Sequence, residues 1–220
     1  MEKSEYPEQS ITDDIVATCG QCPRKAYYSL FFPKKCRVKA ITTFVNQRKK
    51  ENKISFIAKS SSNSPFCSDP LSGKADIITD ATLSYKDLTF ENIHLRKING
   101  TSPFGNFLYA PILFAADTAI KLHDRIRAAL CDTILHGIQA TSTGKSTVVL
   151  IDGSVRRVAI RREACVTIVE DLRHWIGTCP DAPPVAFNQH CPFCAFEHTC
   201  VEYEKKADSL ALLSKPGKRQ

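Results

Sequence analysis

Three cysteines in the segment NQHCPFCAFEHTC, residues 188–200, stand as C-x2-C-x5-C: Cys191, Cys194 and Cys200. Two residues between thiols let both reach one ion, and thiolates are soft ligands that suit zinc or an iron–sulfur cluster. A fourth ligand must come from elsewhere. A second C-x2-C, formed by Cys19 and Cys22 in CGQCPRKAYY, lies at the far end of the chain. A site using both segments would act as a clasp between the two ends. Spacing leaves open whether Cys19 or Cys22 completes it, and whether the metal is zinc or iron. His190 and His198 flank the motif and read as bystanders. The other cysteines, Cys36, Cys67, Cys131, Cys165 and Cys179, are scattered and read as small buried hydrophobes.

Other candidate chemistry is thinner. TSTGKST at 141–147 carries the end of a phosphate-binding loop, but Gln139 stands where the pattern needs glycine, and the segment leads into a strand rather than a helix. It reads as a polar loop. No grouping of His, Ser and Cys suggests nucleophilic catalysis. Charge points elsewhere: the net charge is +7, and Arg24 to Lys53 is a run of Lys and Arg with a single acid, Glu51, while the tail ends with Lys215, Lys218 and Arg219. A nucleic-acid backbone suits such a face, as does plain solvent.

The elements that must position these residues follow from hydrophobic patterning. At 220 residues and 43% hydrophobic composition, the chain can bury a core without disulfides. The first residues lack a basic-then-apolar leader pattern, and no apolar run is long enough to span a bilayer, which predicts a cytoplasmic, reducing location away from membranes. A helix is expected from Ile11, capped by Thr12 or Asp13, running on until Pro33 stops it. Residues 59–72, rich in Ser, Asn and Pro, should be a loop. Short apolar or alternating runs at 75–78, 93–98 and 109–114 predict three strands, with Asn99, Gly100 and Gly105 as turn residues. A helix should run from Asp117 or Thr118 to His136, with Gly137 as its left-handed cap. A hairpin around Asp152-Gly153 should pair 147–152 with 155–160, and a last helix should run from Glu163 to Ile176. The expected division is a helical segment over 1–58, an α/β core over 59–178 and a cysteine segment with a basic tail over 179–220. No internal repeat is present.

The strings CPRKAYYSL at 22–30, Pro183-Pro184 followed by N-x-HCPFCAFEHTC, and KKADSLALL at 205–213 resemble the RecB-like nucleases of the PD-(D/E)XK superfamily that carry a cysteine-cluster clasp. The CRISPR-associated iron–sulfur exonucleases and the RecB-like domains fused ahead of DNA helicases share that arrangement. The likeness is specific at the two ends and looser through the middle. It implies a restriction-endonuclease-like α/β core, a mixed central sheet flanked by helices. It also implies a 4Fe-4S cluster held by Cys22, Cys191, Cys194 and Cys200, with zinc as the alternative, and Cys22 preferred to Cys19 because it precedes ProArgLys. Nucleases of this kind cut DNA with an acid at one strand's start and an acid-x-lysine on the next, which hold Mg²⁺ and activate water.

On that pattern Asp76 is the candidate first acid and Lys97 the lysine, but Leu95 stands where a carboxylate is needed. In a shifted register Ala110 and Ile112 replace acid and lysine. The resemblance therefore implies a DNA-binding protein with a degenerate nuclease centre, accessory to a helicase or another ATPase and acting on single strands or ends. An active Mg²⁺- or Mn²⁺-dependent exonuclease whose second acid is Asp80, Asp87 or Glu91 is the alternative. A zinc-binding interaction module is the third reading.

Overall fold

A computed structural model describes residues 10–32, 48–56 and 75–208. The expectations for the loop at 59–72, for Pro33, Cys36 and Cys67, and for the basic tail lie outside those residues. The chain is a mixed α/β protein: β1 (Ile11–Thr12), α1 (Asp13–Gln21), α2 (Pro23–Phe31), a helical stretch α3 over 48–56, β2 (Ile77–Tyr85), β3 (Leu88–Ser102), β4 (Gly105–Phe114), α4 (Leu122–Gln139), β5 (Lys145–Val149), β6 (Val155–Ala159), α5 (Glu163–Thr178), a 3-10 turn at Cys191–Phe193, and α6 (Glu197–Lys206).

The expected first helix is two. Pro23 has no N–H to donate and drives the residue before it out of the helical region. Cys22 accordingly sits extended at φ −158°, ψ 104°, ending α1 and starting α2.

The sheet is mixed. β2, β3 and β4 form an antiparallel meander, β4 pairs parallel with β5 after the α4 crossover, and β5 and β6 close the antiparallel hairpin expected at Asp152-Gly153. The strands of the meander outrun their apolar runs because polar residues alternate on the open face: β3 continues through Asn99 and Gly100, and the turn falls between Ser102 and Gly105. The β2–β3 ladder slips once between Ile78 and Ala81 and back between Ala81 and Leu83. Asp80 (φ 55°) and Asn92 (φ 54°) take the left-handed conformations that these two bulges need.

β2 runs along one edge of β3. The other edge is shared: the two residues of β1 pair in parallel with Leu88 and Thr89, and β4 begins pairing only at His94. Between them, residues 90–93 of that edge face no strand among the described residues. This gap is a fork in the sheet.

α4 packs across β2, β3 and β4, with α1 and α5 against it. It runs past the expected stop at Gly137 to a left-handed Ala140 (φ 57°). Gly137 is small for a different reason: a Cβ there would lie 2.4 Å from the Tyr85 ring. The extra turn delivers Gln139, fully buried, to the free edge of β4, where its side-chain oxygen accepts the Tyr109 N–H (2.6 Å) and its amide donates to Tyr109 O (3.1 Å). A side chain thus hydrogen-bonds the strand where no strand of the described residues lies beside it. Phe90, Ile93, Leu95, Tyr109, Leu130, Ile134 and Leu172 form the centre of the core.

Candidate functional site: a four-cysteine cavity and a cationic fork

Cys22, Cys191, Cys194 and Cys200, all half-buried, line one small cavity of about 20 Å³. Each is held by a different local device: Cys22 by the Pro23 break, Cys191 and Cys194 by the two ends of the 3-10 turn, and Cys200 by the first turn of α6. Two of the sulfurs accept backbone hydrogen bonds, Cys191 from Asn188 N–H (3.2 Å) and Cys194 from Phe196 N–H (3.4 Å). Burial pushes the Cys200 thiol up to about 11, with Arg24 opposing the shift and the other three cysteines adding to it.

Cys19 does not line this cavity. It is buried one turn earlier in α1, and burial lifts its thiol to about 12. His190 and His198 do not line it either. Among the described residues no three His, Cys, Asp or Glu side chains already stand at a spacing that holds a single ion.

The two cysteine segments are also joined by ordinary protein contacts. Arg24, only 3% exposed, donates to Pro183 O (2.7 Å) and to the Tyr28 hydroxyl (3.2 Å), and stacks on the Tyr203 ring at 4.2 Å. Tyr27 OH donates to Pro180 O (2.8 Å), Asn188 donates to Gln21 O (3.3 Å), and the Tyr28 and Phe196 rings lie 5.1 Å apart. The string CPRKAYY therefore has a mechanical role around Cys22: its Arg and Tyr residues grip the C-terminal segment.

Asp76 and Lys97 are brought together across the start of the β2–β3 ladder, where Lys97 N–H donates to Asp76 O (2.8 Å). The Lys97 ammonium lies 4.7 Å over the Phe107 ring. Leu95 points into the core, fully buried, while Ala110 and Ile112 pair with Arg96 and His94. Of the three alternative acids, Asp87 is engaged by Arg173 through two 2.7 Å bonds that hold its carboxyl below the usual range. Asp80 pairs with Lys53, and Glu91 is exposed on the fork edge. At the start of the 141–147 segment the Ser142 hydroxyl (2.6 Å) and the Thr143 N–H (3.2 Å) and hydroxyl (3.4 Å) donate to the buried Asp132 carboxylate before the chain enters β5.

The larger feature is the fork itself, a pocket of about 330 Å³ lined by Lys49, Lys50, Lys53, Arg127, His94 and Asn92, with Phe90, Ile112, Leu113 and Phe114 as its apolar wall. Among the described residues no Asp or Glu lines it. Asp13, 4% exposed at the start of α1, closes the edge from behind: it accepts Glu91 N–H (3.2 Å) and grips Arg127 at Nε (2.9 Å) and Nη2 (2.7 Å). Burial raises its carboxyl above the usual range despite that arginine. His94 accepts the Asp80 N–H at Nδ1 (3.2 Å), which places its proton on Nε2, 3.9 Å from the Asp80 carboxylate. Burial, helped by Lys53, lowers its pKa to about 4, so it is neutral at pH 7.

Sequence reading missed Asp13, Lys49, Lys53, His94 and Arg127 as a group. They come from α1, α3, β3 and α4, and only the basic run containing the two lysines gave a signal.

No family model matches the chain, and no curated protein matches it. Among solved structures, the one described as "Crystal structure of SSO0001" superimposes with a TM-score of 0.48 at 14% identity, covering 89% of this chain and 87% of that one. A likeness at that level carries no inference.

Proposed function

We propose that this chain is a DNA-binding protein built on a RecB-like, restriction-endonuclease-like core, with its nuclease centre degenerate and its two ends stapled by a four-cysteine metal centre. The observation that carries the reading is the fork: its described lining presents Lys49, Lys53 and Arg127 without the converging carboxylates that a metal-dependent nuclease needs, and Asp13 and Asp80 beside it are already paired to cations. Cations without carboxylates suit binding of a phosphate backbone more than hydrolysis of it. The donor set of Cys22, Cys191, Cys194 and Cys200 fits a 4Fe-4S cluster, and zinc is the alternative that elemental analysis separates. When bound, either group supplies bonds that tie the N- and C-terminal segments, a structural role. No helix among the described residues is long and apolar enough to cross a membrane. On this reading the protein works beside a helicase or another ATPase that handles single strands or ends.

The test is binding of labelled single-stranded and duplex oligonucleotides across a salt series, alongside incubation with Mg²⁺ and Mn²⁺. The expected result is affinity that falls steeply with salt and no cleavage. Absence of binding at low salt overturns the reading. The adjacency of Asp76 and Lys97 favours a second reading, an active exonuclease. It predicts cleavage that Asp76→Ala abolishes.

A further inference from the structure

The α3 stretch is built the wrong way round for a helix that merely covers a sheet. Its inward stripe, spaced i, i+3, i+4, i+7, is Lys49, Asn52, Lys53 and Phe56, while Ile54 is left 59% exposed. Asn52 and Phe56 anchor it: Asn52 donates to Leu150 O (3.1 Å) and Ile151 O (2.8 Å), and Phe56 meets Phe114 at 6.1 Å and the Arg96 guanidinium at 5.2 Å. Those contacts hold two lysines over the fork.

Lys53 is matched there by Asp80, and Arg127 by Asp13. Lys49 and Lys50 belong to none of the ion pairs among the described residues. Asp14, Asp117 and Asp124 act on Lys49 only from a distance, and burial with Arg127 nearby holds its ammonium pKa below the usual lysine range. A half-buried cation facing a second cation across a pocket is unfavourable unless an anion joins them. Arg127 has donors to spare, since Asp13 takes its Nε and one Nη2 hydrogen and leaves Nη1.

We propose that the fork pocket is a phosphate-monoester site for the terminal nucleotide of a nucleic-acid strand. Lys49 and Arg127 hold the phosphate, Lys53 and Asn92 stand at its rim, and the half-buried Phe114 faces the sugar and base. The pocket volume of about 330 Å³ lies at the small end of ligand sites, suited to one nucleotide rather than a duplex. The inference rests on the proposed function only for the source of the phosphate; a free nucleotide offers the same chemistry.

The experiment is fluorescence anisotropy on the full chain with one single-stranded oligonucleotide carrying a 5′-phosphate, a 3′-phosphate or hydroxyls at both ends, with a nucleoside monophosphate and inorganic phosphate as competitors. One phosphorylated end is expected to bind about tenfold or more tightly than the hydroxyl form. Lys49→Gln removes that preference, weakening binding of the phosphorylated oligonucleotide by about tenfold or more beyond whatever loss it causes for the hydroxyl form. Because Lys49 has no ion pair among the described residues to lose, the variant's thermal midpoint is expected at or above the wild-type value, so a lost preference is not a lost fold.

Equal affinity for all three oligonucleotides, or a preference that survives Lys49→Gln, overturns the site. Salt-sensitive binding without discrimination leaves the DNA-binding reading standing while the pocket assignment falls. Lys49-dependent binding of the monophosphate without binding of any oligonucleotide does the reverse.

Discussion

The four-cysteine cavity and the cationic fork both join segments far apart in the chain, but they are made by different means. The cavity is assembled from compact motifs: a proline break places Cys22, a 3-10 turn places Cys191 and Cys194, and one helical turn places Cys200. Local spacing does most of the work there, and the Arg24 and Tyr27 contacts register the two halves. In the fork, no two of Asp13, Lys49, His94 and Arg127 share an element, and the pocket exists only because β1 and β4 stop short of each other along β3. A site of the first kind shows itself as a string of letters. One of the second kind is a property of sheet topology.

The difference predicts different failures. The largest effect is expected at the cavity: Cys194→Ser should remove most of the bound metal and, if iron and acid-labile sulfide are present in anaerobically purified protein, the visible absorption with it. Binding free energy at such centres contributes directly to folding, so chelation should lower the thermal midpoint substantially. Zinc in place of iron would redirect the cofactor assignment, and metal-free protein of unchanged stability would remove the clasp.

Next in size is Arg127→Ala. It leaves the buried Asp13 carboxylate without its cation and should cost about 3–5 kcal/mol in urea denaturation. Adding Asp13→Asn should recover part of that loss, and a single substitution costing under about 1 kcal/mol would show the pair to be solvated. The third effect is on acid stability. The unfolded chain protonates His94 near pH 6.5, whereas the folded protein resists until about 4. Stability from this group is therefore complete above 6.5 and lost as pH falls towards 4. At about 1.4 kcal/mol per unit the loss is on the order of 3 kcal/mol at most. His94→Gln should flatten denaturation midpoints through that window; an unchanged profile would place the acid sensitivity elsewhere.

Much of the architecture was legible in the chain. The Asp152-Gly153 hairpin, the helix beginning at Glu163 and the central order of three strands, helix, two strands and helix follow from turn chemistry and apolar period, and the structure has them, whereas β1, the split of the first helix, α3 and α6 were not expected. What escaped was decided by tertiary contacts. Gly137 looked like a helix stop because glycine commonly is one; here the Tyr85 ring demands its smallness and α4 continues past it. β3 outran its apolar run because ladder pairing with β4, not burial, holds Asn99 and Ser102 in place on either side of Gly100. Asp13 read as a cap, yet its side chain reaches across to β3 and α4, a partnership that nothing in the neighbouring residues announces. The lysines of α3 were visible as charge but not as an inward face, since that requires knowing where the helix lies.

The paired bulges at Asp80 and Asn92 carry a consequence for how this sequence can change in length. One strand gains a residue and the other gains it back, so the ladder is in phase at both ends and out of phase only around Ala81 and Ile93. Deleting either bulge residue alone would leave the mismatch uncancelled and turn every later side chain of that strand to the opposite face. Deleting both would restore a plain ladder. Insertions and deletions at these positions should therefore be tolerated as a couple and rejected singly, although the two sites are separated in the chain by a full hairpin.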